Sequence, residues 1–173
     1  RHIHYNCIKS IKKSLCLLYI MSGIKKWGTP TWIFFHTYAA KINKNFFEQN
    51  RAQCLRIIQM ICECLPCPEC TKHAINFMRR VNVNTVKTKE DLISMLFVFH
   101  NEVNIRTRKT PATREILSTY QNYRMDIAYI NFINGYPVKY GSIMSGRIST
   151  LGKRKSTAKA IQNWMRQHWQ YFQ

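Results

Sequence analysis

The chain has 173 residues, 46% of them apolar and 13% aromatic, with 27 Lys and Arg against 8 Asp and Glu and a formal net charge of +19. That apolar and aromatic content excludes a disordered polycation, and no run approaches the roughly 20 consecutive apolar residues that cross a bilayer. Charge is uneven: residues 1–26 hold six basic and no acidic side chains, 27–126 hold fourteen and eight, and 127–173 hold seven and none. The organisation implied is one domain, 27–126, between a basic N-terminal segment, 1–26, and a basic, aromatic-rich C-terminal extension, 127–173.

The sequence opens on Arg1 and its first methionine is Met21, a candidate start site. Lys9, Lys12 and Lys13 precede the apolar stretch Leu15–Ile20, but Tyr19 interrupts it and no small-residue cleavage motif follows, so no secretory signal is expected. In the reducing surroundings this implies, clustered cysteines point to metal or redox chemistry rather than to structural staples.

Trp32, Phe35, His36, Ala39 and Ala40 recur at helical spacing behind Pro30 and a Thr29 or Thr31 cap, predicting a first helix over about 30–43. Asn45 is the expected cap of a second, striped by Phe47, Cys54, Leu55, Ile58, Ile61 and Cys62 and ending before Pro66. A third begins between Pro66 and Pro68 and runs through Ala74, Phe77 and Met78. Thr88 with Asp91 three residues on predicts a capped fourth helix whose face is Leu92, Met95, Leu96, Phe99, His100 and Val103. Thr113 starts a short fifth, with Ile116, Leu117, Tyr120 and Ile127 on one side.

No alternating strand pattern occurs, so the fold class is all-α, a four-helix bundle plus the short fifth helix. Residues 134–157, with Gly135, Pro137, Gly141, Gly146 and Gly152, read as a linker. Beyond it Ile161, Trp164, Met165, His168, Trp169 and Phe172 mark an amphipathic helix near 157–172, expected to dock on its own bundle or on a partner.

Four of the seven cysteines fall within nine residues, Cys62-Glu-Cys64-Leu-Pro-Cys67-Pro-Glu-Cys70. A zinc or iron–sulfur site is one reading, with Cys62 or His73 completing the ligands, although zinc pairs are normally spaced by a longer loop. The other is a redox dithiol: Cys67 and Cys70 have i, i+3 spacing on a first helical turn, where backbone N–H groups and the helix dipole stabilise a thiolate. A thioredoxin fold is excluded by the lack of strands, so a two-electron flavin is the expected acceptor on a helical scaffold. The excess charge also admits a nucleic-acid-binding function.

Three segments carry a family resemblance. Trp27-Gly28-Thr-Pro-Thr-Trp32-Ile-Phe-Phe-His36, Leu65-Pro66-Cys67-Pro-Glu-Cys70 and His100-Asn101-Glu-Val103-Asn104-Ile-Arg106 resemble, in order, the W-G-x-x-x-W-x-x-x-H, P-C-x-x-C and H-N-x-V-N signatures of the Erv/ALR FAD-linked sulfhydryl oxidases. The resemblance covers about 27–123 and implies a helical bundle that holds FAD between its helices.

By resemblance, Cys67 is the catalytic sulfur met by dithiol protein substrates and Cys70 the one facing the flavin, with O2 as the final acceptor and hydrogen peroxide as product. Gly28, Trp32, His36, His73, His100, Asn101, Val103, Asn104, Arg106 and Lys109 would bind FAD, and no metal is implied. No cysteine follows Cys70, which resembles the short members encoded by large cytoplasmic DNA viruses. A homodimer and a place in the host cytoplasm, at viral assembly sites, or in the virion follow as expectations. Cys62/Cys64 and Cys7/Cys16 are candidate shuttle pairs, and the basic tail is a candidate site for an acidic partner or nucleic acid.

Overall fold

The computed structural model describes residues 26–137 and 147–172, and its described elements are all helical. The proposed start at Met21 and Cys7/Cys16 lie outside those residues. Helix α1, described over 26–41, is followed by α2 (Lys44–Gln49), α3 (Arg51–Cys62), α4 (Pro68–Arg80), α5 (Lys89–Arg106), α6 (Ile116–Asn122), α7 (Met125–Gly135) and α8 (Arg147–His168). Short 3-10 turns follow α4 at Val83–Thr85 and α8 at Trp169–Tyr171.

Local chemistry sets several boundaries as expected. Pro68 occupies the first turn of α4, where its missing N–H costs nothing, and Cys67 is the N-cap, its Sγ accepting from the Cys70 N–H at 3.2 Å. Thr88 and Asp91 close a full capping box on α5: Thr88 Oγ1 accepts from the Asp91 N–H, and Asp91 accepts from the Thr88 N–H.

Elsewhere tertiary structure overrides the pattern. The predicted second helix is two: Asn43 rather than Asn45 caps α2, accepting from the Phe46 N–H at 3.0 Å, and the chain breaks at Asn50, whose side chain donates to the Phe46 carbonyl. A carboxamide that bonds the backbone one turn back competes with helix continuation. The predicted fifth helix also breaks, at Tyr123 and Arg124, both extended. This turn rotates α7 so that Met125, Ala128 and Phe132 are buried, while Ile127 points outward, 39% exposed. Thr31 is not a cap; α1 is already helical at 26, and the Thr31 hydroxyl donates to the Trp27 carbonyl at 2.7 Å.

The expected linker over 134–157 is helical from Arg147 onward. Gly152 is exposed on that helix with open space around it, and burial of Arg154, Thr157 and Ala158 holds the segment in place against the glycine's cost of about 1 kcal/mol. Ile161, Met165 and Phe172 then enter the same core as Phe34, Tyr38, Phe47, Ile58 and Leu96. Phe34 of α1 stacks on Phe132 of α7 at 4.4 Å, Tyr38 meets Phe172 at 5.1 Å, and the Asn43 N–H donates to the Tyr171 carbonyl at 2.7 Å. The C-terminal helix thus docks on its own bundle.

Candidate functional site

Cys67 and Cys70 form a disulfide across the first turn of α4, with Cα atoms 5.1 Å apart, and both are partly accessible. The Cys70 N–H directed at Cys67 Sγ, together with the positive end of α4, favours negative charge on Cys67 once the bond is reduced. The neighbouring cysteines differ. Cys54, Cys62 and Cys64 are free and buried; burial pushes the Cys54 thiol up to about 11 and, with the Glu63 charge, pushes Cys62 further. Cys54 and Cys62 therefore stay protonated and inert at neutral pH. Among the described residues no three His, Cys, Asp or Glu side chains converge on a point where a metal could bind.

Behind α4, an aromatic chain leads across the bundle. Phe77 of α4 stacks on Phe99 of α5 at 4.3 Å, and Phe99 meets Trp32 of α1 edge-on at 5.0 Å. Trp32 lies flat on His100, centroids 4.0 Å apart and planes within 4°, and His100 Nδ1 is 2.9 Å from His36 Nε2. Tyr120 of α6 stacks on His36 at 4.5 Å. Burial holds His36 down to about 3, with the His100 charge adding to it; burial and then the Lys109 ammonium hold His100 down to about 4. Both imidazoles are neutral at pH 7, and one N–H is shared between them.

The residues of the third signature divide their labour. Asn101 clasps the loop beyond α5, its Nδ2 donating to the Ala112 carbonyl at 2.9 Å and its Oδ1 accepting from the Ala112 N–H at 2.8 Å. Asn104, buried, donates to Asn101 Oδ1 at 3.4 Å, while its carbonyl accepts from the Lys109 N–H at 2.8 Å. This gives a physical reason for two amides inside a helix, where propensity disfavours them. Arg108 adopts φ 58° in the turn so formed, and Arg106, Arg108 and Lys109 are all exposed around it. Val103 is half-buried against the core, and Gly28 is buried in α1. His73 is half-buried on α4 and has no hydrogen bond or ring contact with the histidine pair.

Tyr120 was visible in the sequence only as one member of a helical stripe; its stacking on His36 joins residues 84 positions apart, which spacing does not reveal. Chemically the cluster offers flat π-faces, neutral imidazoles and exposed cations at one edge. Those groups fit a planar ring system attached to a pyrophosphate, as in FAD, without a glycine-rich loop.

A helical bundle with a redox disulfide at the N-terminus of α4, whose Phe77 packs toward a buried pair of neutral histidines, defines a helical thiol–disulfide redox protein. The chain belongs to the Erv1/Alr family, which residues 29–124 match. It is 32% identical over 102 residues, 58% of this chain and 68% of the relative, to protein 096R of Invertebrate iridescent virus 3, whose name places it among FAD-linked sulfhydryl oxidases. It is 31% identical over 83 residues, 48% of this chain and 69% of the relative, to the FAD-linked sulfhydryl oxidase of African swine fever virus, isolate Warthog/Namibia/Wart80/1980. No solved structure gives a significant match.

Proposed function

We propose that the chain is a FAD-dependent sulfhydryl oxidase that introduces disulfides into dithiol proteins, with O2 as the final acceptor. The observation that carries this reading is the Cys67–Cys70 disulfide at the start of α4, the helix whose Phe77 packs through Phe99 onto the Trp32, His36, His100 and Tyr120 cluster.

A substrate thiolate attacks Cys67 Sγ, forming a mixed disulfide and releasing Cys70 as a thiolate. A second substrate thiolate attacks the substrate sulfur of that mixed disulfide, and Cys67 leaves as a thiolate. The Cys70 N–H and the helix terminus lower the basicity of that leaving group, which speeds the second step. The substrate has lost two electrons and the pair has gained them. FAD, when bound, supplies the two-electron acceptor that reoxidises the pair and passes the electrons to oxygen as hydrogen peroxide.

Trp32, His36, His100 and Tyr120 would hold the flat ring system, Asn101, Val103 and Asn104 would shape the helix beside it, and Arg106 and Lys109 would meet the pyrophosphate. Gly28 and His73 complete the proposed set. The burial of Cys62 and Cys64 argues against direct access of substrate to that pair. Residues 27–126 are proposed as the catalytic unit. Among the described residues no helix is long and apolar enough to cross a membrane. With viral relatives, host cytoplasm or virion is the proposed location. A homodimer is proposed from family resemblance, and sedimentation equilibrium at twice the monomer mass would support it.

The test of the function is dithiol-dependent oxygen uptake. Cys67→Ser and Cys70→Ser should each reduce it more than about 100-fold with flavin content unchanged; uptake persisting in both variants would overturn the reading.

A further inference from the structure

We propose that α8 and the cleft at its C-terminal end form a binding site for single-stranded nucleic acid. Residues 127–173 contain no acidic side chain, and on α8 Lys155, Lys159 and Arg166 are all exposed. At 3.6 residues per turn these three, with exposed Gln162 between them, fall within an arc of about 60° and extend along about 16 Å of helix. Lys155 and Lys159 are four residues apart, a like-charge pairing that disfavours the isolated helix. A track of this kind suits the phosphates of a polyanion.

Next to Arg166 in sequence, Gln167 borders a cleft of about 480 Å3 between α2 and the residues that end α8 and follow it. Its lining is carboxamide and aromatic: Asn45, Gln49, Gln167 and Gln170 make no side-chain hydrogen bond among the described residues, and Phe46 and Tyr171 are stacked at 4.0 Å beside them. A carboxamide presents a donor and an acceptor side by side, the pattern on a base edge, and aromatic rings are the usual platforms for bases. An acidic peptide would find cations on the helix but no ammonium or guanidinium lining the cleft. Unpaired bases supply both halves of the match; in a duplex the Watson–Crick edges are already paired with one another and the base faces stacked. None of the cleft residues belongs to the disulfide or the histidine cluster, so the inference stands apart from the redox reading.

The experiment is fluorescence anisotropy of the full chain with a labelled oligothymidylate of about twelve nucleotides, across a salt series. Binding should weaken steeply with salt, and Lys155→Gln, Lys159→Gln and Arg166→Gln combined should reduce the slope of log K against log salt by about 2. Gln167→Ala with Gln170→Ala should weaken binding about 3- to 10-fold and leave the slope unchanged. Both variants should keep wild-type oxygen uptake, which reports that they are folded. An unchanged slope in the triple variant would overturn the proposal, as would equal binding of polyglutamate or of duplex DNA.

Discussion

His36 and His100, 64 residues apart in sequence, share a 2.9 Å contact between Nε2 and Nδ1 in which only one nitrogen can carry the proton. The pair joins α1 to α5, and the contact is lost once both rings are protonated, because neither nitrogen can then accept.

Stability therefore depends on acid in a defined direction. His36 and His100 titrate near 3 and 4 in the folded protein and near 6.5 unfolded. Between about pH 6.5 and 4 the unfolded chain binds more protons than the folded one, so stability rises with pH there and is lost as pH falls. Each histidine contributes at most about 1.4 kcal/mol per pH unit. Urea denaturation at pH 7 and pH 4.5 should show this loss, and His36→Gln should flatten it; equal pH dependence in the variant would contradict the lowered His36 value.

Cys67 serves α4 as a cap as well as a redox group. In reduced protein Cys67→Ser keeps an acceptor for the Cys70 N–H, whereas Cys67→Ala removes it. Thermal unfolding in the presence of reductant should find the alanine variant about 1 kcal/mol less stable than the serine variant.

At Gly135, α7 runs close against the start of α1. A Cβ there would lie 2.6 Å from the Lys26 carbonyl oxygen, a backbone atom, and 3.6 Å from the Trp27 Cα, so the two helices would have to shift apart. Gly135→Ala should destabilise the fold by about 1–3 kcal/mol, read from chemical denaturation, whereas Gly152→Ala, in open space on α8, should be neutral or stabilising.

Tyr120 stacks on His36 and should matter through its ring rather than its hydroxyl. Tyr120→Ala should weaken FAD binding about 3- to 10-fold, and Tyr120→Phe should leave it within about twofold, measured by equilibrium dialysis of flavin.

The parts of the fold legible in the sequence are those determined within one or two turns. Pro68 after Cys67 and Thr88 before Asp91 announce α4 and α5 because capping chemistry is local. The first turns of α8 are not legible: Gly152 and the basic run around it resemble a linker, and only burial of Arg154, Thr157 and Ala158 makes them helical. The break at Tyr123 likewise follows from which face must meet the core, since it turns Met125, Ala128 and Phe132 inward. At the site, the redox pair and the Trp32, His36 and His100 set could be read from their motifs. The Asn101 clasp on Ala112 and the Tyr120 cover required the folded chain, since each depends on where the loop after α5 returns.

The most direct test of the redox account is the visible absorption spectrum of the purified protein, before and after a dithiol is added without oxygen. A bound flavin spectrum that bleaches with dithiol and returns on admission of air is the predicted result. A colourless protein that takes up no added FAD, or a bound flavin that dithiol leaves unbleached, would contradict it.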